Sequence, residues 1–257
     1  MRVLILLLCL LGAPAMACGP DSDCAVDNGT YRIRLPDAPP QGAILFAHGY
    51  RGTAEGIMGN AALERMARDL DVVLVALQSA GEDWAIPDAP SEGRRPARDE
   101  VAYVQAVKAD VMDRFGMDPE RFMLAGFSAG GMMVWNAACK AGDAFAVFVP
   151  LSGTFWKGPP ATCPTGAVIW HFHGTADAVV PVAGRQIGPA RQGDVNAVLA
   201  MYRNDRSLHD AVPAPVDDLD CARWVGADAM LQYCLHPGGH TFDAGWLARV
   251  WRATFDG

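Results

Sequence analysis

The sequence has no C-x-x-C pair, no cysteine and histidine spacing typical of a zinc site, and no run of Lys or Arg. These absences argue against a structural metal, redox chemistry and a nucleic-acid partner. The net charge of −8 agrees, because an acidic surface repels polyanions. There is no internal repeat and no linker long enough to separate two domains, so we predict a single folded domain.

The N-terminus carries the one long apolar segment, residues 3–11, which follows a single positive charge and precedes Ala15-Met16-Ala17. This arrangement predicts a secretory signal peptide over residues 1–17. The segment is too short to span a bilayer as a mature helix. We therefore expect residues 18–257 to form one secreted or periplasmic domain. A lipid anchor on Cys18 is an alternative that we do not favour, because Ala15 stands where such sites usually have leucine.

Removal of residues 1–17 would leave six of the seven cysteines, an even number that suggests disulfide bonds in an exported protein. Six cysteines allow fifteen pairings. Order along the chain favours local pairs, and the hypothesis is therefore Cys18–Cys24, Cys139–Cys163 and Cys221–Cys234.

Short apolar runs alternate with segments of helical periodicity through most of the chain. The strands predicted from these runs are 31–35, 43–47, 72–76, 121–125, 145–149, 168–172 and 230–235. The predicted helices are 61–70, 99–115, 132–140, 195–203 and 246–254. The polar, proline-rich stretches 78–98 and 206–220 read as surface loops. Alternation of this kind predicts an α/β fold, with a mostly parallel sheet covered by helices on both faces.

The stretch Gly126-Phe127-Ser128-Ala129-Gly130 joins a predicted strand to a predicted helix. One reading is a flexible turn. The other is a nucleophile elbow, in which a sharp strand-to-helix turn exposes the serine and leaves room only for Gly or Ala beside it. Because the motif lies between a strand and a helix, we favour the elbow and take Ser128 as the candidate nucleophile.

A serine nucleophile needs a base, and the base needs an orienting acid. Asp177 follows the predicted strand 168–172, and His240 follows the strand 230–235 within Gly238-Gly239-His240. Their order along the chain, Ser then Asp then His, is that of an α/β-hydrolase. A turn or capping role is the alternative for Asp177. His171 and His173, in contrast, read as hydrogen-bonded core residues.

Acyl transfer also needs donors for the developing oxyanion. We expect one from the backbone N–H of Ala129 and the other from that of Tyr50, with Arg51 as the second choice. Trp84, Phe155 and Trp156 are candidates for lining a substrate pocket, although ordinary packing accounts for each at least as well.

Together, Gly126 to Gly131, His173-Gly174-Thr175-Ala176-Asp177 and Gly238-Gly239-His240-Thr241 resemble the secreted polyhydroxybutyrate depolymerase and feruloyl esterase group of the α/β-hydrolases. The resemblance runs from about residue 30 to the end. It implies a Ser–Asp–His mechanism with no cofactor and no metal. Phe242-Asp243 stands where many relatives have Trp-Pro, and no polymer-binding domain follows. We therefore expect a soluble or oligomeric ester as substrate, either a hydroxyalkanoate oligomer or a feruloyl or acetyl ester of plant carbohydrate.

The sequence leaves two alternatives to a secreted serine esterase. One is an acyltransferase or a small serine peptidase, because the same three residues serve several acyl transfers. The other is a non-catalytic binding protein that has kept the fold.

Overall fold

The computed structural model describes residues 18–90 and 97–256, so the predicted signal peptide, 1–17, lies outside the described residues. The strands are Cys24–Val26 (β1), Gly29–Arg34 (β2), Ala43–Ala47 (β3), Val73–Leu77 (β4), Phe122–Phe127 (β5), Val147–Leu151 (β6), Val168–Gly174 (β7), Gln186–Ile187 (β8), Ala190–Arg191 (β9), Val212–Pro213 (β10), Asp220–Val225 (β11) and Met230–His236 (β12). The helices are Ala54–Met58 (α1), Ala61–Asp69 (α2), Glu100–Phe115 (α3), Ala129–Lys140 (α4), Val195–Asp205 (α5) and Ala244–Phe255 (α6).

Ten strands form one sheet in the order β1-β2-β4-β3-β5-β6-β7-β12-β11-β10. The six strands from β4 to β12 pair in parallel, and the strands beyond them at both ends pair antiparallel. A sheet that is parallel at its centre needs helical crossovers, which cover both faces. The chain therefore has the α/β architecture that its sequence predicts.

Strand β3 shows how the two faces are filled. All five of its residues are buried, and successive side chains point to opposite faces. Leu45 packs into a core with α3, α4 and α5, whereas Ile44 and Phe46 pack into a second core with α1, α2 and α6. The sheet thus separates two hydrophobic cores.

Three disulfide bonds join Cys18 to Cys24, Cys139 to Cys163 and Cys221 to Cys234. These are the pairs expected from order along the chain. None of the helices in the described part of the chain is long and apolar enough to cross a bilayer.

The structure departs from the sequence predictions in its short elements and in β11, a six-residue strand that was not predicted. Strand β6 begins at Val147 rather than 145, because residues 142–146 form a turn in which the Ala146 N–H donates to the Phe122 carbonyl at 3.1 Å. The stretch 206–220, predicted as a surface loop, contributes the edge strand β10 and the first residue of β11. Strand β1 and helix α1 were not predicted.

Candidate active site

Ser128 lies between the end of β5 and the first residue of α4, with φ 59° and ψ −119°. This conformation is rare for a residue with a side chain and is strained. Neighbouring glycines make it sterically feasible. A Cβ on Gly130 would lie 2.0 Å from the Ala47 carbonyl oxygen, and one on Gly126 would lie 2.6 Å from the Gly130 carbonyl. The turn is therefore as tight as a nucleophile elbow requires.

Asp177 and His240 follow β7 and β12, two neighbouring parallel strands. His240 Nδ1 and Asp177 Oδ2 are 2.7 Å apart, a hydrogen-bond distance. The other carboxylate oxygen accepts the backbone N–H groups of Val179 and Val180, both at 2.8 Å. Since β5, β7 and β12 all run in one direction, Ser128, Asp177 and His240 lie at the same edge of the sheet. The His240 ring centroid is 4.6 Å from that of Phe127, the residue before the serine.

These contacts determine the direction in which the pKa of Asp177 shifts. Burial alone would raise the pKa of Asp177, whose side chain is fully buried. The hydrogen bonds from His240 and from the Val180 and Val179 N–H groups outweigh burial, and the pKa of Asp177 is lowered. The carboxylate is therefore ionised at neutral pH and can stabilise a positive charge on His240.

The loops that carry the acid and the base are bonded to each other. The Thr175 N–H donates to the His236 carbonyl at 2.9 Å, and the Ala176 N–H donates to the Gly238 carbonyl at 3.1 Å. A Cβ on Gly174 would lie 2.4 Å from the Gly238 carbonyl oxygen, so only glycine allows this approach. Asp177 and His240 consequently have fixed relative positions.

His171 and His173 are buried and hydrogen-bonded, as the sequence predicts, and they support the loop that carries Asp177. Trp135 Nε1 donates to His171 Nδ1 at 3.1 Å, because an indole can only donate. His171 Nε2 then donates to His173 Nδ1 at 3.0 Å, and His173 Nε2 donates to the Val180 carbonyl at 2.7 Å. Each of these three hydrogen bonds has one donor and one acceptor only if both imidazoles are neutral. Burial lowers the pKa of both, His171 most strongly.

The candidate oxyanion donors are the backbone N–H groups of Ala129 and Tyr50, and the alternative to Tyr50 is the N–H group of Arg51. Ala129 is the first residue of α4, so its N–H has no acceptor within the helix. The Arg51 N–H donates to the Glu82 carbonyl at 2.8 Å and is occupied. No such bond engages the Tyr50 N–H within the described residues. The geometry thus favours Tyr50 over Arg51 as the second donor.

Trp84 does not line the pocket, contrary to the sequence-based candidate. Its side chain is completely buried, and its indole N–H donates to the His48 carbonyl at 2.8 Å. The His48 ring accepts the Ser79 N–H at 3.2 Å through Nε2, and burial lowers the pKa of His48. Trp84 and His48 therefore support the turn that precedes Tyr50 rather than contact a substrate.

A cavity of about 320 Å³ adjoins Ser128, Ala129 and Tyr50. Its apolar wall comprises Met132, Trp156, Val179, Val180 and Ile187. Asp83, Arg185 and Gln192 supply its other polar side chains. Trp156 therefore lies where the sequence suggests, while Phe155 borders a neighbouring cavity on the far side of Trp156. Arg185 and Gln192 were missed, since strands of two residues leave no periodic signal.

No group of three or more metal-ligating His, Cys, Asp or Glu side chains occurs within residues 18–90 and 97–256. The candidate site comprises a serine on a strained turn, a histidine oriented by a buried carboxylate, two backbone donors and an adjoining cavity.

The sheet architecture, together with the order of Ser128, Asp177 and His240 along the chain, defines the α/β-hydrolase fold. No protein-family profile matches the chain. The chain is 29% identical over 234 residues to a protein named "Putative esterase NocK" from Nocardia uniformis subsp. tsuyamanensis, covering 82% of this chain and 67% of that protein. Among solved structures, an acetyl xylan esterase from Aspergillus awamori superposes with TM-score 0.62 at 14% identity, covering 88% of this chain and 94% of that one. A Bacillus cereus carboxylesterase gives TM-score 0.57 at 11% identity, with coverages of 87% and 92%. At these identities the two solved structures establish the fold.

Proposed function

We propose that the protein is a serine esterase that hydrolyses carboxylic esters through Ser128, His240 and Asp177. The observation that carries this proposal is the 2.7 Å contact between His240 and the buried Asp177, at the sheet edge that also presents Ser128 on its strained turn. A buried carboxylate bonded to a histidine is the arrangement that activates a serine nucleophile. The likeness to a protein named as an esterase points to the same chemistry.

Each step of the proposed reaction has an assigned group. His240 donates its Nδ1–H to Asp177, which leaves the Nε2 lone pair to accept the Ser128 proton as Oγ attacks the ester carbonyl. The N–H groups of Ala129 and Tyr50 stabilise the oxyanion. His240 then protonates the departing alcohol, leaving an acyl group on Ser128. Water attacks this acyl-enzyme, gives its proton to His240 and releases the acid, and the proton returns to Ser128.

The cavity supports a substrate of modest size. At about 320 Å³ it lies at the lower end of the range for small-molecule sites. We propose a soluble or oligomeric ester, in line with the resemblance to the polyhydroxybutyrate depolymerase and feruloyl esterase group. We also propose that the protein acts outside the cytoplasm, because three disulfide bonds are typical of an oxidising compartment.

Hydrolysis of 4-nitrophenyl esters of increasing acyl length tests the proposal, using protein purified after secretory expression of the full chain. Ser128→Ala should lower kcat/KM at least about a thousand-fold, since it removes the attacking atom. Ser207→Ala, at an exposed serine that also has a positive φ, serves as the control and should retain full activity. Turnover that survives Ser128→Ala would exclude this mechanism. Faster transfer to an added alcohol than to water would instead indicate an acyltransferase.

A further inference from the structure

The cavity beside Ser128 is lined by a positively charged side chain that has no role in the proposed reaction. Arg185 lines the same cavity as the serine, and its side chain is exposed. Within the described residues, no carboxylate lies within ion-pair distance of its guanidinium. A guanidinium is always charged and presents five N–H donors. It therefore presents a positive charge and several N–H donors to whatever occupies the cavity.

The position of Arg185 is defined by its neighbour Gln192. Arg185 Nε donates to Gln192 Oε1 at 3.2 Å, and the Gln192 backbone N–H donates to the Arg185 carbonyl at 2.8 Å. Gln192 is only 4% exposed. Only the first of these bonds involves the guanidinium, through Nε, and within the described residues neither terminal nitrogen makes a hydrogen bond. A planar pair of N–H groups of this kind matches the two oxygens of a carboxylate.

The hairpin that carries this pair is itself held against the body of the domain. The Gly193 N–H donates to the Phe155 carbonyl at 2.8 Å, and the Thr154 hydroxyl donates to the Gly193 carbonyl at 3.1 Å. Gly184 has φ +69°, and a Cβ there would lie 2.2 Å from the Gln192 carbonyl oxygen. The turn before Arg185 therefore needs glycine, and the arginine has a defined rather than a random placement.

Within the described residues, the hydrogen bonds of Asp83 and Asp177 go to groups other than Arg185. Asp83 also lines the cavity, but it is only 5% exposed and its carboxylate accepts the Trp84 N–H at 2.9 Å. Asp177 is bonded to His240 and to two backbone N–H groups. Among the described residues that line the cavity, Arg185 is the exposed charged side chain, and its positive charge would favour a negative group on the substrate.

We infer that the preferred substrate is an ester that also carries a free carboxylate, which Arg185 binds while Ser128 attacks the ester carbonyl. This inference rests on the proposed esterase function and adds the chemical class of its substrate. Arg185 is assigned to specificity and takes no part in proton transfer.

Two pairs of esters, each matched in length, test the inference. The first pair is the 4-nitrophenyl hemiester of glutaric acid and 4-nitrophenyl valerate, which differ by a carboxylate on the acyl side. The second is the acetate ester of 4-hydroxybutyrate and butyl acetate, which differ by a carboxylate on the alcohol side, with acid release followed by titration. We expect a charged-to-neutral ratio of kcat/KM above one in at least one pair. That ratio should fall ten-fold or more in Arg185→Gln and recover in part in Arg185→Lys.

Arg191→Gln is the control, because Arg191 is an exposed arginine on the same hairpin that does not line the cavity. Its ratio should equal that of the wild type. Equal ratios in wild type and Arg185→Gln for both pairs would overturn the inference while leaving the esterase function intact. Absence of hydrolysis of every ester by the wild type would instead overturn the proposed function.

Discussion

Replacement of His171 should reduce the sensitivity of the fold to acid. His171 and His173 form a buried chain of hydrogen bonds in which both rings are neutral. A second ring proton on His171 would have no hydrogen-bond acceptor, because Nδ1 already accepts the Trp135 N–H and Nε2 already donates to His173. Asp177 Oδ2 lies 3.7 Å from His173 and would favour a proton there, but burial has the larger effect and the pKa of His173 is still lowered.

The size of the effect follows from proton uptake by the unfolded chain. An unfolded histidine binds a proton below its ordinary pKa of about 6.5, while the folded protein keeps the ring neutral. Stability is therefore fully present above that pH and decreases as the pH falls below it. Between pH 7 and pH 5, each ring that stays neutral in the folded state costs about 2 kcal/mol of unfolding free energy. The two rings together cost up to about 4 kcal/mol, a large share of typical domain stability.

The assay is urea denaturation at pH 7 and pH 5 with the disulfide bonds intact. His171→Gln keeps a donor near the position of Nε2 and removes one titrating group, so its loss of stability between the two pH values should be about 2 kcal/mol smaller than that of the wild type. His209→Gln, at an exposed histidine, is the control and should match the wild type. Equal pH dependence in wild type and His171→Gln would refute the assignment of a neutral buried ring.

Two further predictions concern the elbow and the disulfide bonds. Gly130→Ala should abolish ester hydrolysis and lower the unfolding free energy by at least about 1–3 kcal/mol, because its Cβ would overlap the Ala47 carbonyl. Gly158→Ala is the control, since a Cβ there would lie in open space. It should leave both the activity and the denaturation midpoint unchanged. Replacing Cys139 and Cys163 together by serine should lower the unfolding free energy by about 3.5 kcal/mol, as expected for a separation of 24 residues, and an unchanged denaturation midpoint would contradict this.

The elements that the sequence predicts well are those with a strong local cause. Strand β3 was predicted with the correct bounds, because a short, unbroken apolar run between turns is typical of a buried strand. Helix α3 begins after Asp99, whose carboxylate accepts the Val101 and Ala102 N–H groups, and it ends at Gly116 in the left-handed region. Both signals are visible in the sequence.

The features that the sequence did not predict depend on side-chain contacts that leave no local pattern in the sequence. Trp84 is aromatic and lies in a proline-rich stretch, so only its hydrogen bond to His48 shows that it is a buried support. The pairing of Arg185 with Gln192 arises in a hairpin whose strands have two residues each. Periodicity cannot reveal elements of this length. The candidate triad could be predicted because each member directly follows a recognisable strand.

The cross-bonded acid and base loops have a mechanical consequence. Backbone hydrogen bonds from Thr175 and Ala176 fasten one loop to the other, so we expect Asp177 and His240 to shift together as one unit. Ser128 belongs to a different unit, formed by β5 and α4. If Ser128 and His240 act together as proposed, a small rearrangement of the site would change the spacing between serine and histidine more readily than the spacing between histidine and aspartate. The two units meet where the ring of Phe127, the last residue of β5, packs against that of His240.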